Sequence, residues 1–285
     1  MPELPEVETI RLGLLPFVTG RQIEGVEVLH PRAVRRADAG LDPVVGKTIR
    51  GVARRGKYMW FDLGDLALVA HLGMSGQFRV GGAENPHRRA SLLLDGGARL
   101  DFVDQRTFGH LLPEDLVDTD DGLPGGLGTE ASLVPKAVAH IGRDLLDPAV
   151  DLRRIAKRVK AKDTEVKRAL LDQTVASGVG NIYADEALFA AQVNGKRATG
   201  AMSERKIAEV YEAARDVMER AVAVGGTSFD ELYVGVDGSS GYFERSLNVY
   251  GRQGTPCPRC GTILTKEPFM GRSSHYCPRC QSRTR

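Results

Sequence analysis

CPRCGTILTKEPFMGRSSHYCPRC, residues 257–280, holds all four cysteines of the 285-residue chain. Cys257 and Cys260 form one C-x-x-C pair and Cys277 and Cys280 the other, with 16 residues between the inner two. This is the two-knuckle spacing of a structural zinc site. Four thiolates complete a tetrahedron around Zn²⁺ and leave no open position for chemistry, so the ion would hold a β-hairpin in shape. Two disulfides are the alternative use of the same residues, and nothing in the sequence suggests the oxidising setting that they need. An arginine-rich zinc hairpin is common in nucleic-acid binding, but zinc ribbons also join proteins. The stretch fixes a fold element and names no partner.

Upstream lies KRALLDQTVASGVGNIYADEALF, residues 167–189. Apolar helical spacing ends near Leu171, a glycine-rich turn follows, and a second helix is predicted to begin around Asn181. Gly178 and Gly180 allow a bulky partner close to the backbone, and the amides at a helix start favour an anion such as phosphate. A helix-turn-helix whose glycines only cap and pack would read the same way.

The net charge of +2 hides an uneven distribution. Eight Lys and Arg fall between Arg153 and Arg168, and seven between Arg252 and Arg285, where Glu267 is the lone carboxylate. Pro113 to Glu130 carries six carboxylates and no Lys or Arg. Basic zones of this kind can neutralise a phosphate backbone, or can be solvated helix faces and a basic tail.

The two halves differ in rhythm. Residues 22–103 contain short β-like runs (QIEGVEVL, KYMWFDL, LALVAHL, QFRV, SLLL, ARLDFV) parted by turns, the pattern of an antiparallel sandwich or barrel. Before them PEVETIRLGLLPFV reads as one helix, with Val7, Ile10 and Leu14 on its apolar stripe. After DGLPGGLG the spacing turns helical, and a hinge is expected near 128–140. With 42% hydrophobic and 27% charged residues the chain is an ordinary globular one, long enough for two cores. No run of 18 apolar residues and no basic-then-apolar N-terminus is found, so neither a membrane span nor a signal peptide is expected.

The chain opens MPELPEVETI. Pro5, Glu6 and Glu8 suit a helix start, but that explains nothing about Pro2. Removal of Met1 would leave Pro2 as a free secondary amine, partly unprotonated near neutrality because α-amino groups titrate at roughly 7.7–8.0. Such an amine can form an iminium with an aldehyde-like carbon.

MPELPEVE, RRGKY around Lys57, HLGMSG at 71–76, DQRTFG at 104–109, GVGNIYADE and the four-cysteine hairpin occur in that order. Together they closely resemble the formamidopyrimidine-DNA glycosylases, bacterial enzymes that remove 8-oxoguanine and ring-opened purines from DNA. The resemblance spans nearly the whole chain. It implies an α+β fold: an N-terminal helix plus antiparallel β-sandwich (1–132), a helical helix-two-turn-helix region (133–242), and a zinc-finger hairpin (243–285). A lesion-capping loop would fall at about 225–242.

The resemblance also implies a bifunctional glycosylase and abasic-site lyase working as a monomer on double-stranded DNA in the cytoplasm, with one structural zinc. Pro2 would attack C1′, Glu3 would be the general acid/base, Glu6 a supporting carboxylate, and Lys57 the lysine at the lesion and its phosphate. Met74, Arg106 and Phe108 would fill the void left by a flipped nucleotide, with Arg106 facing the orphaned cytosine. Thr107 stands where many relatives have Arg. Asn181 and Arg272 would clamp phosphates. Two rival readings are the sister endonuclease VIII, specific for oxidised pyrimidines, and a non-catalytic damage binder. The opening PELPE, in place of PEGPE, and the Arg106/Phe108 pair favour the purine enzyme over the first. Retained Pro2, Glu3 and Lys57 argue against the second.

Overall fold

In a computed structural model, residues 2–81, 84–226 and 246–282 are described. Two compact units divide the chain: Met1–His140 with Val224–Tyr242, and Ile141–Ala223 with Phe243–Arg285.

The first unit begins with helix α1 (Leu4–Val18), which Glu3 and Glu6 start with a reciprocal capping box. Nine strands follow: β1 (Ile23–Val28), β2 (Gly51–Arg55), β3 (Tyr58–Asp62), β4 (Leu66–His71), β5 (Gly76–Val80), β6 (Arg88–Leu94), β7 (Ala98–Asp104), β8 (His110–Asp118) and β9 (Leu133–Pro135). They form a four-stranded sheet in the order β1-β6-β7-β5 and a five-stranded sheet in the order β2-β3-β4-β8-β9. All pairings are antiparallel. One core joins the two sheets, with Phe78, Leu92 and Phe102 from the first and Val52, Phe61 and Leu68 from the second. Phe61 meets Phe78 edge-on, ring centroids 5.5 Å apart. Val7, Ile10 and Leu14 of α1 are buried in the same core, as the apolar stripe requires.

The acidic stretch does not belong to a loop alone. Residues 113–118 continue strand β8, which pairs with β4 from Leu66↔Asp115 to His71↔His110. Asp115 and Asp118 are exposed and Glu114 is half-buried, although β4 and then β9 pair with this half of the strand. The glycine-rich stretch at 125–128 is not itself the hinge, and the division between units falls at the far end of the expected 128–140. A Cβ on Gly126 would stand 2.3 Å from the Arg54 carbonyl oxygen, and one on Gly128 2.6 Å from that of Val52. These glycines are there for close packing against β2, and the chain passes between units at 140/141.

The second unit holds α2 (Leu152–Lys162), α3 (Val166–Leu171), α4 (Asn181–Ala190), α5 (Glu204–Ala223) and the hairpin of β10 (Thr265–Phe269) and β11 (Arg272–Tyr276). Asp151 caps α2 by accepting from the amides of Arg153 and Arg154. The amphipathic α5 buries Ile207, Val210, Tyr211, Ala214, Val217 and Met218. Buried carboxylates on α4 bind the hairpin region. Asp185 pairs with Lys167 at 2.6 Å and accepts from the His275 amide, while Glu186 accepts from the amides of Asn248, Val249 and Tyr250. No helix among the described residues is long and apolar enough to cross a membrane.

Candidate active site and nucleic-acid interface

Pro2 and Glu3 are buried immediately before α1, with Glu3 3% exposed. Glu6 Oε2 accepts from the Glu3 amide at 2.8 Å, so the first helical turn holds both carboxylates beside the chain start. Lys57 lies in the two-residue turn Gly56–Lys57 between β2 and β3, where Arg55 pairs with Tyr58. A tight antiparallel turn places its side chain at a fixed end of the sheet.

Met74 sits in the turn between β4 and β5; Arg106 and Phe108 lie in the loop between β7 and β8. Sheet pairing brings the two segments together, and the buried Asp104 carboxylate fastens them. Ser75 Oγ donates to Asp104 Oδ1 at 2.5 Å, the Arg106 amide to the same oxygen at 3.2 Å, and the Gly109 amide to Oδ2 at 2.7 Å. The Arg106 amide also donates to Ser75 Oγ at 3.0 Å. Contact between the segments is so close that a Cβ on Gly73 would meet the Gly109 nitrogen at 2.5 Å. From the other side Arg35 donates to the carbonyls of Thr107 (3.1 Å) and Phe108 (2.8 Å). Thr107 is thereby held at φ +54°, a left-handed conformation costly for a β-branched residue. Phe108 is 47% exposed, and Arg106 is exposed beside it.

Beneath this loop His71 and His110 stack, centroids 5.4 Å apart. Burial, with the charges of Arg36, Lys57 and Arg35, pushes His71 down to about 4. Burial, His71 and the same two arginines push His110 down to about 3. Both rings are therefore neutral at physiological pH, so the positive charge here is that of the arginines and Lys57. Ser75 and Asp104 stand within the motifs HLGMSG and DQRTFG, but their mutual bond spans 29 residues, and Arg35 reaches Phe108 across 73, so sequence alone does not show these supporting roles.

In the second unit, Asn181 is the first residue of α4, after Gly180. Its Nδ2 donates to the Ser273 carbonyl at 2.8 Å, which brings it beside the exposed Arg272 at the start of β11. That bond places the N-terminus of α4 beside the strand that carries Arg272, and helix amides and a guanidinium are groups suited to phosphate. The segment from 227 to 245, which contains most of the expected lesion-capping loop, lies outside the described residues, as does Met1.

The four cysteines are free of disulfides, and their Sγ atoms all lie within 4.8 Å of one another. Tetrahedral Zn–S bonds of about 2.3 Å put sulfurs roughly 3.8 Å apart, so the cluster fits one zinc ion. Amides of Arg259 and Cys280 donate to Cys257 and Cys277 Sγ at 3.4 Å, the knuckle arrangement that supports bound thiolates. Gln281 ties the second knuckle to the helical module by donating to the Val193 carbonyl.

Comparison with known proteins bears on all three regions. Residues 1–111 match the formamidopyrimidine-DNA glycosylase N-terminal domain, 141–232 that enzyme's H2TH domain, and 254–283 the zinc finger found in FPG and IleRS. The formamidopyrimidine-DNA glycosylase of Mycolicibacterium gilvum is 54% identical, and that of Mycobacterium tuberculosis strain H37Ra 53%, each over the full length of both chains. Among solved structures, the MutM (FPG) protein of Thermus thermophilus is similar at a TM-score of 0.83 and 37% identity, covering 98% of each chain. A Lactococcus lactis FPG mutant in complex with Fapy-dG-containing DNA is similar at 0.81 and 30% identity, covering 99% of this chain and 100% of that one. End-to-end identity above one half, shared by sandwich, helical module and zinc hairpin alike, makes this chain a member of the formamidopyrimidine-DNA glycosylase family.

Proposed function

We propose that the protein is a base-excision-repair glycosylase and abasic-site lyase that removes 8-oxoguanine and formamidopyrimidines from double-stranded DNA, acting as a monomer in the cytoplasm. The observation that carries this is full-length identity of 54% to a formamidopyrimidine-DNA glycosylase, together with similarity to an FPG solved on lesion DNA.

The roles of individual residues follow from chemistry. A base within a duplex hides C1′, so the nucleotide is turned out at a cost of a few kcal/mol. Phe108 and Met74 supply apolar surface for the vacated stack, and Arg106 supplies donors for the O2 and N3 acceptors of the orphaned cytosine. The Pro2 nitrogen then bonds to C1′ while the glycosidic bond breaks and the base leaves with a proton. The neutral amine is the reactive form. Glu3 protonates the opening sugar and moves protons between steps, and Glu6 holds the Glu3 backbone through the capping box. The iminium acidifies the C2′ protons, so loss of one expels the 3′ phosphate and a second elimination the 5′ phosphate. Lys57 contacts the lesion and its phosphate, and Asn181 with Arg272 clamps the backbone. Zinc supplies hairpin structure, with no part in bond breaking. The domain division that accompanies this reading is 1–132 catalytic, 133–242 helical and 243–285 zinc finger.

Single-turnover excision on three duplexes tests it: 8-oxoguanine, formamidopyrimidine and an oxidised pyrimidine. Faster release of both purine lesions is expected, whereas preference for the pyrimidine would assign the endonuclease VIII activity.

A further inference from the structure

Behind the chain start lies a buried charge cluster to which the chemistry above gives no part. Glu8 stands in the second turn of α1, 4% exposed, and Arg54 on β2 is fully buried. Glu8 Oε2 accepts from Arg54 Nε at 2.8 Å and from Arg11 Nε at 2.9 Å, while Oε1 accepts from Arg11 Nη2 at 2.8 Å. Arg11 Nη1 in turn donates to the Val52 carbonyl at 3.0 Å. Burial alone would raise the Glu8 carboxyl; the hydrogen bond from Arg11 and the charges of Arg54 and Arg11 outweigh it, so the group ionises below its ordinary 4.5.

The cluster leads to Lys57. Arg54 Nη1 donates at 3.2 Å to the carbonyl of Gly56, the residue bonded to the Lys57 nitrogen. The glycine stretch closes over the pair: Leu127 exchanges two backbone hydrogen bonds of 2.9 Å with Arg54. A Cβ on Gly128 would lie 2.6 Å from Arg11 Nη1. So the helix that begins directly after Pro2 and Glu3 is joined, by Glu8, Arg54 and the Gly56 carbonyl, to the turn that carries Lys57.

A surface pair would contribute little here, and a buried one is a weak source of stability alone, since hydrophobic replacement of such pairs is often neutral or stabilising. What an ion pair adds over an apolar contact is direction. We propose that Glu8 and Arg54 are positioning residues, whose ion pair holds the Gly56–Lys57 turn against α1 and so sets the place of the Lys57 ammonium relative to the Pro2 nitrogen. This rests on the reading that Pro2 and Lys57 both act in excision. Misplacing a reacting group by about 1 Å can cost on the order of a hundredfold in rate.

The test uses full-length, zinc-loaded protein and three readouts: melting temperature, affinity for a duplex with a non-cleavable abasic analogue, and single-turnover excision of 8-oxoguanine. Glu8→Gln breaks the pair and is expected to lower both melting temperature and rate. The triple variant Glu8→Gln/Arg11→Met/Arg54→Met removes all three charges of the cluster and is expected to regain the melting temperature and bind within about threefold of wild type. Its excision should remain about tenfold to a hundredfold slow. Because the triple variant leaves no charge of the cluster without its partner, it decides the matter even if the single variant does not fold. Recovery of rate in step with melting temperature would make the pair merely structural and overturn the proposal. Lys57→Ala, run alongside, separates the two readings. Slow Lys57→Ala with a fast triple variant overturns the positioning role alone, and fast Lys57→Ala overturns both.

Discussion

The Ser75 hydroxyl and the Asp104 carboxylate, 29 residues apart, meet at 2.5 Å and make one body of two loops. Met74 is on one loop and Arg106 and Phe108 on the other, so the three residues proposed to enter the duplex share a single support. Asp104→Asn keeps the shape but turns one acceptor oxygen into a donor, facing the hydroxyl or the amides of Arg106 and Gly109. A loss of about 1–3 kcal/mol of stability is expected, the range for an unmatched buried polar group. Denaturant unfolding measures it, and the excision rate should fall by more than undamaged-duplex binding does. Unchanged stability would show that the carboxylate is not the fastening.

Opposite-base preference should depend on Arg106. Its guanidinium offers donors to cytosine, whereas adenine presents an amine at the corresponding edge. A contact of this kind discriminates by about 1–3 kcal/mol. Excision opposite cytosine should be faster than opposite adenine, and Arg106→Ala should narrow the gap. Arg272→Ala should weaken binding to both duplexes about equally, as a phosphate contact does. Full cytosine preference in Arg106→Ala would place the discrimination elsewhere.

How much of this was legible beforehand depends on where each signal resides. The zinc ligands were, because four thiols at knuckle spacing bring their own geometry. So was α1, because Val7, Ile10 and Leu14 repeat at helical period. Strand β8 was not: Glu114, Asp115 and Asp118 disguise it, since side chains along its second half are half-buried or exposed and tolerate charge. The GLPGGLG stretch suggests freedom by composition, yet its glycines are there to let backbone touch β2. Nor do Arg35, Asp104 or Glu8 announce themselves, because a long-range hydrogen bond leaves no periodic trace. Motif order carried the proposed site residues, while their supports became visible only through the fold.

Zinc removal should act locally. The thiolates hold the hairpin that bears Arg272, so chelation should abolish lesion-duplex binding and release one metal ion per chain. The sandwich, with its own core joining both sheets, should keep its cooperative unfolding transition. Metal analysis with calorimetry measures both. Loss of the sandwich transition on chelation would contradict the separation of cores.

Acid should weaken the fold through His71 and His110. Both are held neutral in the folded state, to about 4 and about 3, whereas in the unfolded chain they take up protons below about 6.5. Their neutral burial costs nothing above that pH, and stability falls as pH drops from 6.5 towards 4. The slope is on the order of 1 kcal/mol per pH unit for each histidine. Glu8 and other depressed carboxylates add their loss only below their ordinary range, so unfolding between pH 6.5 and 5 isolates the pair. His110→Phe keeps the stacked ring and should halve the slope. An unchanged slope would exclude His110 as a contributor.

The central claim is that the chain start is the nucleophile, and borohydride trapping on an 8-oxoguanine duplex tests it most directly. Reduction of the iminium should yield a covalent protein–DNA adduct, and digestion should map it to a peptide that begins at Pro2 with Met1 removed. Pro2→Gly should excise severely more slowly while binding the duplex normally. An adduct mapped to Lys57, or none from protein that still releases the base, would contradict the assignment of Pro2.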